Sequence, residues 1–552
     1  MRKEHLIHGV WSLLILLLSF CTQSKIEITP QQMAQFNLKI KEADERFNRG
    51  SYQELEEASR IYEELTGYPA FQAKTRTKLL KTLLLLVMRE RELAVLDDKH
   101  LAMASHLIET DPALNNFEKY INMAANIPID QNMRVLPMRD FISGSEDEQL
   151  LSRKIITMSI NMEKLKQDWI NTKMELQQKA LSDIFFAYLF IAQYGYENTS
   201  TLDYRNEKTD LSPYQQTFAD IPLIQYKLAL VPEIDSYALD KIKEKYQEFY
   251  EIYYFLGLDA LTKGLLLPAE ENILKTYQEI PESSSCIMSL TKIYFALEEF
   301  EKCLEFNEKA LMIAPKYRDA LLGKGISLSF LGRQEEAIAV FNTLLKLGYY
   351  YIGESYYWTA WNQHLLGQLD EAWQNIETSK NYLIGHYEVH SLAGAIALDK
   401  GSLEEAETNF KESLRLNPQD HDSHFYLGKL YGQREDWKAS GLNFEKAAEG
   451  YSMDEQAIKN KILELEESSL SDERKIKMIN KKKSLLVKTR LSKATAFYNG
   501  CAGYYNAEMY SKAQEMGEAA ASHPSFKEKA EDLLEAIKNL KDHYDKRTVF
   551  LN

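Results

Sequence analysis

The sequence of 552 residues is poor in cysteine. Four cysteines are present, at positions 21, 286, 303 and 501, and no two of them form a CxxC motif. Thiols so few and so scattered exclude a disulfide-stapled scaffold and a cysteine-ligated zinc module. Cys286 and Cys303 could form one disulfide in an exported protein, but we expect both to be buried free thiols, because unpaired cysteine behaves as a small apolar residue.

An excess of positive charge is also lacking. The chain has 66 basic and 82 acidic residues, which gives a formal net charge of −16. A nucleic-acid-binding protein needs a basic face to neutralise phosphates, so nucleic acid is excluded as a partner. The same balance disfavours broad electrostatic adhesion to anionic lipid.

Beyond the N-terminus, no apolar run is long enough to span a membrane. The most apolar later run, Leu79–Met88, has ten residues, is interrupted by Lys81 and is followed by the charged sequence RERE. A spanning helix needs roughly 18 apolar residues. The run therefore predicts a buried core helix.

The N-terminus is typical of an export signal. Two basic residues precede the apolar segment Leu6–Phe20, and polar residues follow it, so residues 1–20 are predicted to be a signal peptide. The segment Leu18–Cys21 (LSFC) resembles the lipobox of bacterial lipoproteins, which implies cleavage before Cys21 and attachment of acyl chains to it. Phe20 departs from that pattern, where a small residue is usual, and an uncleaved anchor or an ordinary cleaved signal are the alternatives. The resemblance implies a lipid-anchored protein of the bacterial cell envelope, in the periplasm or at the outer membrane.

The composition is rich in Leu, Ala, Glu, Lys and Tyr and has no alternating strand pattern, so we expect an all-helical chain. Three series of residues recur along it with spacings of 34 or 35 residues. Small residues form the first series, at Gly257, Thr291, Gly325, Ala360, Gly394 and Gly428. Small residues also form the second, at Ala269, Cys303, Ala337, Ala372, Ala406 and Ser440. Glycines form the third, at Gly264, Gly332, Gly367 and Gly401.

These series have the spacing of repeated helix hairpins. Two antiparallel helices approach closely only where the residues at their crossing are small, and glycine suits the left-handed turn between them. The sequence Leu427–Tyr431 (LGKLY), followed by Phe444 and Ala447, resembles the tetratricopeptide repeat, a 34-residue helix–turn–helix. The resemblance covers six consecutive repeats and implies an all-α, tetratricopeptide-type solenoid.

The rest of the chain is divided around these repeats. Residues 22–235 are predicted to be a divergent, partly repeat-like helical region, and residues 236–453 hold the six repeats. Residues 454–493 are highly charged and predict a helical spacer. Residues 494–552 predict a degenerate repeat and a capping helix that covers the end of the array.

The resemblance implies a groove lined by the first helix of each repeat, in which a protein or peptide partner binds. The predicted groove residues are Tyr254, Lys292, Phe295, Phe330, Tyr357, Trp361, His364, Phe425 and Lys429. Aromatic residues at helical spacing are often packing residues, but Trp and Tyr also dominate binding hot spots. The sequence Tyr349–Tyr351 (YYY) coincides with the one-residue insertion in the array, where we expect a bend or a wider groove.

No catalytic motif is present, so we expect a scaffold or adaptor rather than an enzyme, with no cofactor. Two histidine pairs, His386 with His390 and His421 with His424, have spacings that a metal could use, but packing is the favoured interpretation. One alternative is a periplasmic ligand-binding subunit of a solute-uptake system, with an apolar pore to which Phe185, Phe186 and Tyr188 contribute. Another is an enzyme with its site in residues 71–240.

Overall fold

The computed structural model describes residues 28–95, 97–125, 162–195, 209–348, 350–468 and 470–549, and the side chains of all these except 162–169 and 541–549. The predicted signal peptide and Cys21 lie outside the described residues. Throughout the described part the secondary structure is helical, with one isolated β-bridge between Val95 and Ser283. The predicted all-α fold is confirmed. None of the described helices is both long and apolar enough to cross a membrane.

The chain forms two compact units. Unit 1 contains the described residues up to Asp259 together with Lys275–Ser283, and unit 2 contains Ala260–Leu274 and the described residues from Ser284 onward. Unit 1 thus extends past the predicted boundary at residue 235. The physical reason is that Glu251 pairs with a buried arginine of the same unit, Arg89.

The helices that begin in unit 1 are α1 (Pro30–Arg49), α2 (Tyr52–Thr66), α3 (Pro69–Glu92), α4 (Lys99–Thr110), α5 (Glu118–Ala125), α6 (Met162–Ala180), α7 (Ile184–Tyr194), α8 (Ser212–Thr217), α9 (Pro222–Leu228), α10 (Ser236–Lys245) and α11 (Glu251–Thr262). Helix α1 begins at a capping box, in which the backbone N–H of Gln32 donates to Thr29 Oγ1 over 3.2 Å. The core helix predicted at Leu79–Met88 is confirmed, because α3 is buried along that stretch.

The helices from residue 266 onward are α12 (Leu266–Glu279), α13 (Ser284–Ala296), α14 (Phe300–Ile313), α15 (Arg318–Phe330), α16 (Gln334–Leu347), α17 (Ile352–Leu365), α18 (Leu369–Lys380), α19 (Tyr387–Asp399), α20 (Leu403–Leu416), α21 (His421–Gln433), α22 (Trp437–Glu467), α23 (Asp472–Asn506), α24 (Tyr510–Ala521) and α25 (Lys527–Val549). From α13 to α22 they pack as successive hairpins, α13 with α14 and so on. Helices α11 and α12, which make the first predicted repeat, are each divided between the two units, so that repeat stays a prediction.

The close helix crossings that the sequence predicts are present in unit 2. A Cβ atom added to Gly325 would lie 2.5 Å from the ring of Phe341, and one added to Gly394 would lie 2.6 Å from the ring of Phe410. Real Cβ atoms do not approach carbon so closely, so only glycine lets these rings lie against the first helix. These repeats therefore pack a small residue of the first helix against a large residue of the second, as Gly428 and Phe444 also do.

The turn glycines also behave as predicted. Gly332, Gly367 and Gly401 have φ angles of +76°, +73° and +81°. A Cβ atom at any of the three would meet no neighbour, so their requirement is conformational and not steric. Glu298 and Glu435 occupy the same turn in other repeats, with φ angles of +58° and +60°.

Two long helices follow the hairpins. Helix α22 has 31 residues and α23 has 35, and the two pack antiparallel to each other. The predicted spacer at residues 454–493 is therefore the second half of α22 joined to the first half of α23. Its charged residues are paired rather than only solvated, because Glu455 of α22 bonds to Arg490 and Lys493 of α23.

Cys286, Cys303 and Cys501 are buried free thiols, as we expected. Burial raises the pKa of Cys501 to about 12 and raises that of Cys303. These three thiols are therefore packing residues.

At the repeat insertion, Tyr351 adopts a left-handed conformation with φ of +59°, and its hydroxyl donates to Asp319 Oδ1 over 2.6 Å. The bend expected there stays a prediction.

Candidate binding surface

Unit 2 carries a continuous series of aromatic rings, here called the aromatic ladder. Its members are Phe295, Phe300, Phe330, Tyr357, Trp358 and Trp361. Phe300 and Phe330 are stacked with their centroids 4.4 Å apart, and Phe330 meets Trp358 edge-on at 5.8 Å. Trp358 is 6.0 Å from Trp361 by the same measure. All six distances in the series fall in the range of attractive aromatic contact.

Helix hairpin geometry explains how these rings meet. Four of the rings lie on α15 and α17, the first helices of two successive repeats, which contact each other directly. Phe295 and Phe300 lie on either side of the turn between α13 and α14. The ladder therefore follows from the repeat period and uses no residue outside the array.

One end of the ladder is open to solvent. Phe295 is 42% exposed and Phe330 is 50% exposed. Together with Phe300 they line a cavity of about 630 Å³ whose opposite wall is the first half of α23, with Lys481, Ser484, Leu485 and Lys488. Large exposed aromatic surfaces with a polar rim mark interaction sites in soluble proteins.

The first half of α23 is held to the repeats by ion pairs. Arg474 bonds to Glu270 over 2.7 Å and to Glu299 over 2.6 Å. Lys482 bonds to Glu298 Oε1 over 2.6 Å, and Lys481 donates to the carbonyl of Glu298 over 2.6 Å. We call these contacts the α23 clamp. They place a basic helix beside the open end of an aromatic surface.

Ion pairing favours the charged forms of the clamp residues. Burial by itself would raise the pKa of Glu299, but hydrogen bonds from Arg474 and Lys302 lower it below its ordinary value. Burial would likewise lower the pKa of Arg474, but Glu270 and Glu299 raise it. Lys481 also lies 4.6 Å from the centre of the Phe300 ring, a cation–π contact that joins the clamp to the ladder.

The structure brings some predicted groove residues together and separates others. Those that belong to the ladder are Phe295, Phe330, Tyr357 and Trp361. Tyr254 is buried in unit 1 at 2% exposure and contributes to its core, so it is left out of the surface. Lys292 is exposed on α13.

The other predicted groove residues lie outside the ladder. His364 Nε2 is 2.7 Å from Asp399 Oδ2. Phe425 is half-buried and packs edge-on against Phe444 at 5.4 Å. Lys429 is exposed, with its ammonium 5.8 Å from the ring of Tyr426. These three are explained by local packing and pairing.

Sequence reasoning missed Phe300, Trp358 and the basic residues of α23. A periodic signal for Trp358 was available, because it precedes Trp361 by one helical turn and so shares its face. No local signal indicates that α23 folds back to Glu298, because that contact joins residues far apart in sequence.

Unit 1 contains a buried charge cluster. Its members are Arg89, Glu92, Tyr188, Tyr226, Lys227 and Glu251. Arg89 bonds to Glu251 over 2.6 Å, and Lys227 bonds to Glu92 over 2.7 Å. Cations and carboxylates alternate here, so each buried charge has an opposite charge beside it.

The tyrosines complete this cluster. The hydroxyl of Tyr188 donates to Glu92 over 2.6 Å, and the guanidinium of Arg89 lies 3.9 Å from the ring centre of Tyr226. Burial alone would raise the pKa of Glu92, but Lys227 and Arg89 lower it below its ordinary value. Glu92 is therefore ionised at neutral pH.

Titratable groups do meet within residues 71–240, as the enzyme alternative requires. The members of the buried charge cluster are paired with one another and line none of the cavities of about 360, 370 and 630 Å³. The first of these cavities is lined by a different set that includes Lys78, Lys81 and Asp183, in which Lys81 pairs with Asp183 and Lys78 with Asp44. Phe185 and Tyr188 of the pore alternative are buried in the unit 1 core, where Phe185 packs against Tyr120. The absence of catalysis stays a prediction.

One histidine of the two predicted pairs, His424, is held by hydrogen bonds. His424 is buried, with Nδ1 2.9 Å from Asn443 Oδ1 and Nε2 3.2 Å from the carbonyl of Pro418. Over the described residues, no three His, Cys, Asp or Glu side chains are grouped so that they could hold a metal ion. The packing interpretation of His424 is thus supported by its contacts.

Residues 387–420, which comprise α19, α20 and the turn that follows, match the tetratricopeptide repeat family. The hairpins of unit 2 are therefore tetratricopeptide-type repeats in an all-α solenoid. A search of curated proteins gave no significant match.

Solved structures similar to this chain include tetratricopeptide repeat proteins. A tetratricopeptide repeat protein from Parabacteroides merdae is 14% identical with a TM-score of 0.34, over 49% of this chain and 97% of its own. YrrB, described as having an unusual peptide-binding site, is 21% identical with a TM-score of 0.28, over 33% and 93%. PilW, a type IV pilus biogenesis factor, is 19% identical with a TM-score of 0.32, over 37% and 92%.

Proposed function

We propose that unit 2 binds a protein or peptide segment on the aromatic ladder, and that the protein is a non-enzymatic scaffold or adaptor. The observation that carries this proposal is the exposure of Phe295 and Phe330 beside a cavity of about 630 Å³. Exposing two large apolar rings has a free-energy cost in water, which a partner that covers them removes.

The rim of the cavity favours one kind of segment. Lys481, Lys488 and Glu298 line it beside the rings, which leaves one net positive charge at the rim in a chain of net charge −16. An apolar or aromatic side chain suits the space between Phe295, Phe330 and Leu485, and acidic neighbours suit the lysines. The partner is therefore proposed to carry an aromatic residue flanked by Asp or Glu.

Peptide display tests this proposal. Peptides selected on the wild-type protein are expected to lose about 30- to 100-fold in affinity for the double variant Phe295→Ser, Phe330→Ser, because removing two central apolar contacts costs about 2–3 kcal/mol. Both side chains are exposed, so the melting temperature should change little.

A matched control is available on the same unit. Met312 and Ile384 are also strongly exposed apolar residues and lie outside the ladder. The variant Met312→Ser, Ile384→Ser should bind the selected peptides as the wild type does. Equal affinity of the peptides for the wild type and for the ladder variant would refute the proposal.

The proposal includes a location at the bacterial cell envelope, with the chain anchored by lipid on Cys21. It is supported by the basic, apolar and polar order of residues 2–25 and by the segment LSFC. Stable anchoring takes more than one acyl chain, which lipoprotein processing supplies. Feeding a palmitate analogue to bacteria that express the full chain should label the wild type and not Cys21→Ser; equal labelling of the two would exclude the anchor.

A further inference from the structure

A second cavity of unit 2, of about 370 Å³, has a polar lining unrelated to the aromatic ladder. It lies between the two long helices and the end of the solenoid. Its lining residues are Glu455, Val487, Arg490, Lys493, Ala494, Phe497, Ala519, Ser522, His523 and Pro524. No step of the proposed peptide binding uses any of them.

The cavity has an excess of positive charge. Glu455 is 8% exposed, and three cations surround its carboxylate: Lys459 at 2.7 Å, Arg490 at 2.9 Å and Lys493 in a short contact. Burial alone would raise the pKa of Glu455, but hydrogen bonds from these three lower it to about 2. Of these three cations, Arg490 and Lys493 line the cavity together with Glu455, so the lining carries an excess of one positive charge.

Several hydrogen-bond donors remain beside the cavity. Arg490 contacts Glu455 through Nε, so its two terminal amino groups are not used in that pair. The backbone N–H of Ser525 donates to His523 Nδ1 over 3.2 Å, so in the neutral ring Nε2 carries the proton and is a donor. Lys493 supplies an ammonium group. Guanidinium, ammonium and imidazole are the groups that proteins use to hold phosphate.

The other wall is apolar. Phe497, Ala494 and Val487 of α23, with Ala519 and Pro524, line the remainder of the cavity. The cavity, at about 370 Å³, falls in the size range of small-ligand sites, which begins at about 300 Å³. It is thus larger than one phosphate group needs. The space beside the basic residues therefore suits an organic group that packs on an aromatic ring.

We propose that this cavity binds a phosphate monoester whose organic part is apolar, with Arg490, Lys493 and His523 on the phosphate and Phe497 against the organic group. The excess positive charge of the lining and the imidazole N–H of His523 suit the anionic phosphate group. Glu455 holds the cations in place and also competes with the ligand for them. The shared chemistry is that of a soluble phosphate ester or of the headgroup of phosphatidic acid.

Titration calorimetry on the full chain tests the site with phenyl phosphate, inorganic phosphate and phenol. Phenyl phosphate is expected to bind at least about fivefold more tightly than inorganic phosphate, because the ring gains contact with Phe497. Phenol lacks the charge and should show no binding. Equal affinity for phenyl phosphate and phosphate would overturn the assignment of the apolar wall, and with it the proposal.

Two variants with opposite expected effects separate a ligand site from a purely structural ion cluster. Arg490→Gln should weaken phenyl phosphate binding by at least about tenfold. Glu455→Gln should strengthen it by about fivefold or more, because it removes the competing carboxylate and retains all three cations. Lys483→Gln, which makes the same charge change as Arg490→Gln on the same helix but outside the cavity, should leave affinity unchanged.

Two results with these variants would contradict the proposal. Weaker binding in Glu455→Gln, or the same affinity in Arg490→Gln and the wild type, would overturn the proposal. Arg490 is 45% exposed, so the fold should survive its replacement, and a thermal melt of each variant checks this. Vesicles with and without phosphatidic acid distinguish the two sources: a loss of vesicle binding in Arg490→Gln supports the lipid headgroup, and binding of phenyl phosphate alone supports a soluble ester.

Discussion

The two units of this chain stabilise their interiors in different ways. Unit 1 buries Arg89, Lys227 and Glu251 and pairs them inside its core. Unit 2 buries small residues against aromatic rings, as at Gly394 and Phe410, and its buried carboxylates pair with cations that are partly exposed, as Glu270 does with Arg474. The first arrangement depends on a few specific partners, and the second on a shape that is repeated.

This difference explains why a repeat period can be recognised in the sequence of unit 2 and not in that of unit 1. A close helix crossing is satisfied by any small residue facing a large one, so the same solution recurs in each hairpin of unit 2. A buried ion pair requires one particular partner at one distance, and an unpaired copy would be strongly destabilising. Unit 1 therefore shows helical residues in its sequence but no repeat.

The largest effect is expected in unit 1. Arg89→Met leaves Glu251 buried without its cation and Glu92 with Lys227 alone, which should lower local stability by about 3–5 kcal/mol. Hydrogen exchange of the backbone amides of α3 measures this loss. Arg60→Met is the matched control on α2, because Arg60 is strongly exposed and pairs only with Glu57 over 3.3 Å; it should cost less than about 0.5 kcal/mol.

If Arg89→Met lost no more protection in α3 than Arg60→Met, buried charge pairing would not be the main support of unit 1. With the two other tryptophans of the chain replaced, as Trp11→Phe and Trp169→Phe, the fluorescence of Trp358, Trp361, Trp373 and Trp437 serves as a second readout. These residues all lie in unit 2, so a unit 1 defect should leave their unfolding transition in place.

A smaller effect is expected at a helix crossing of unit 2. Gly394→Ala places a Cβ atom against the ring of Phe410, and overpacking of this kind costs about 1–3 kcal/mol. Urea unfolding followed by tryptophan fluorescence measures the change. Combining it with Phe410→Leu, which vacates the space, should cost less than the sum of the two single changes. Strict additivity would show that this crossing does not depend on shape complementarity.

The smallest expected effect is a stabilisation at a turn. Glu435 has a φ angle of +60°, which costs a non-glycine residue about 1–2 kcal/mol, while glycine loses part of that gain through its entropy in the unfolded chain. Glu435→Gly should therefore raise stability by about 0.5–1 kcal/mol in the same urea experiment. Glu298→Gly, at the equivalent turn, should give no gain, because Glu298 also pairs with Lys482. A loss of stability in Glu435→Gly would count against conformational strain at this turn.

Much of unit 2 could be predicted because its causes are local or periodic. Gly332, Gly367 and Gly401 were predicted to be left-handed turn residues, and their φ angles agree. Gly325 and Gly394 were predicted to be crossing residues, and the rings that they face lie within the same hairpin. Such contacts join residues close in sequence, so the spacing alone specifies them.

The remainder depends on contacts between distant residues. The sequence RERE at residues 89–92 resembles a solvated helix end, and Arg89 is buried because Glu251 reaches it from far along the chain. The charged residues 454–493 resemble a spacer, but Arg474 reaches back to Glu270. Four of the six rings of the ladder, those of Phe295, Phe330, Tyr357 and Trp361, could be predicted by residue type and helix face. Its basic rim could not, since no local pattern shows which surface a charged helix will contact.

The length of α23 has a mechanical consequence. At 1.5 Å per residue, its 35 residues extend for about 50 Å without a break. Its first turn is held by Glu270 and Glu299, and its last turns place Cys501 and Tyr504 in the core that closes the solenoid. Long helices bend only gently. A partner that displaces the first half of α23 would therefore also move the last turns of the helix, and with them the core around Cys501 and Tyr504 that closes the solenoid.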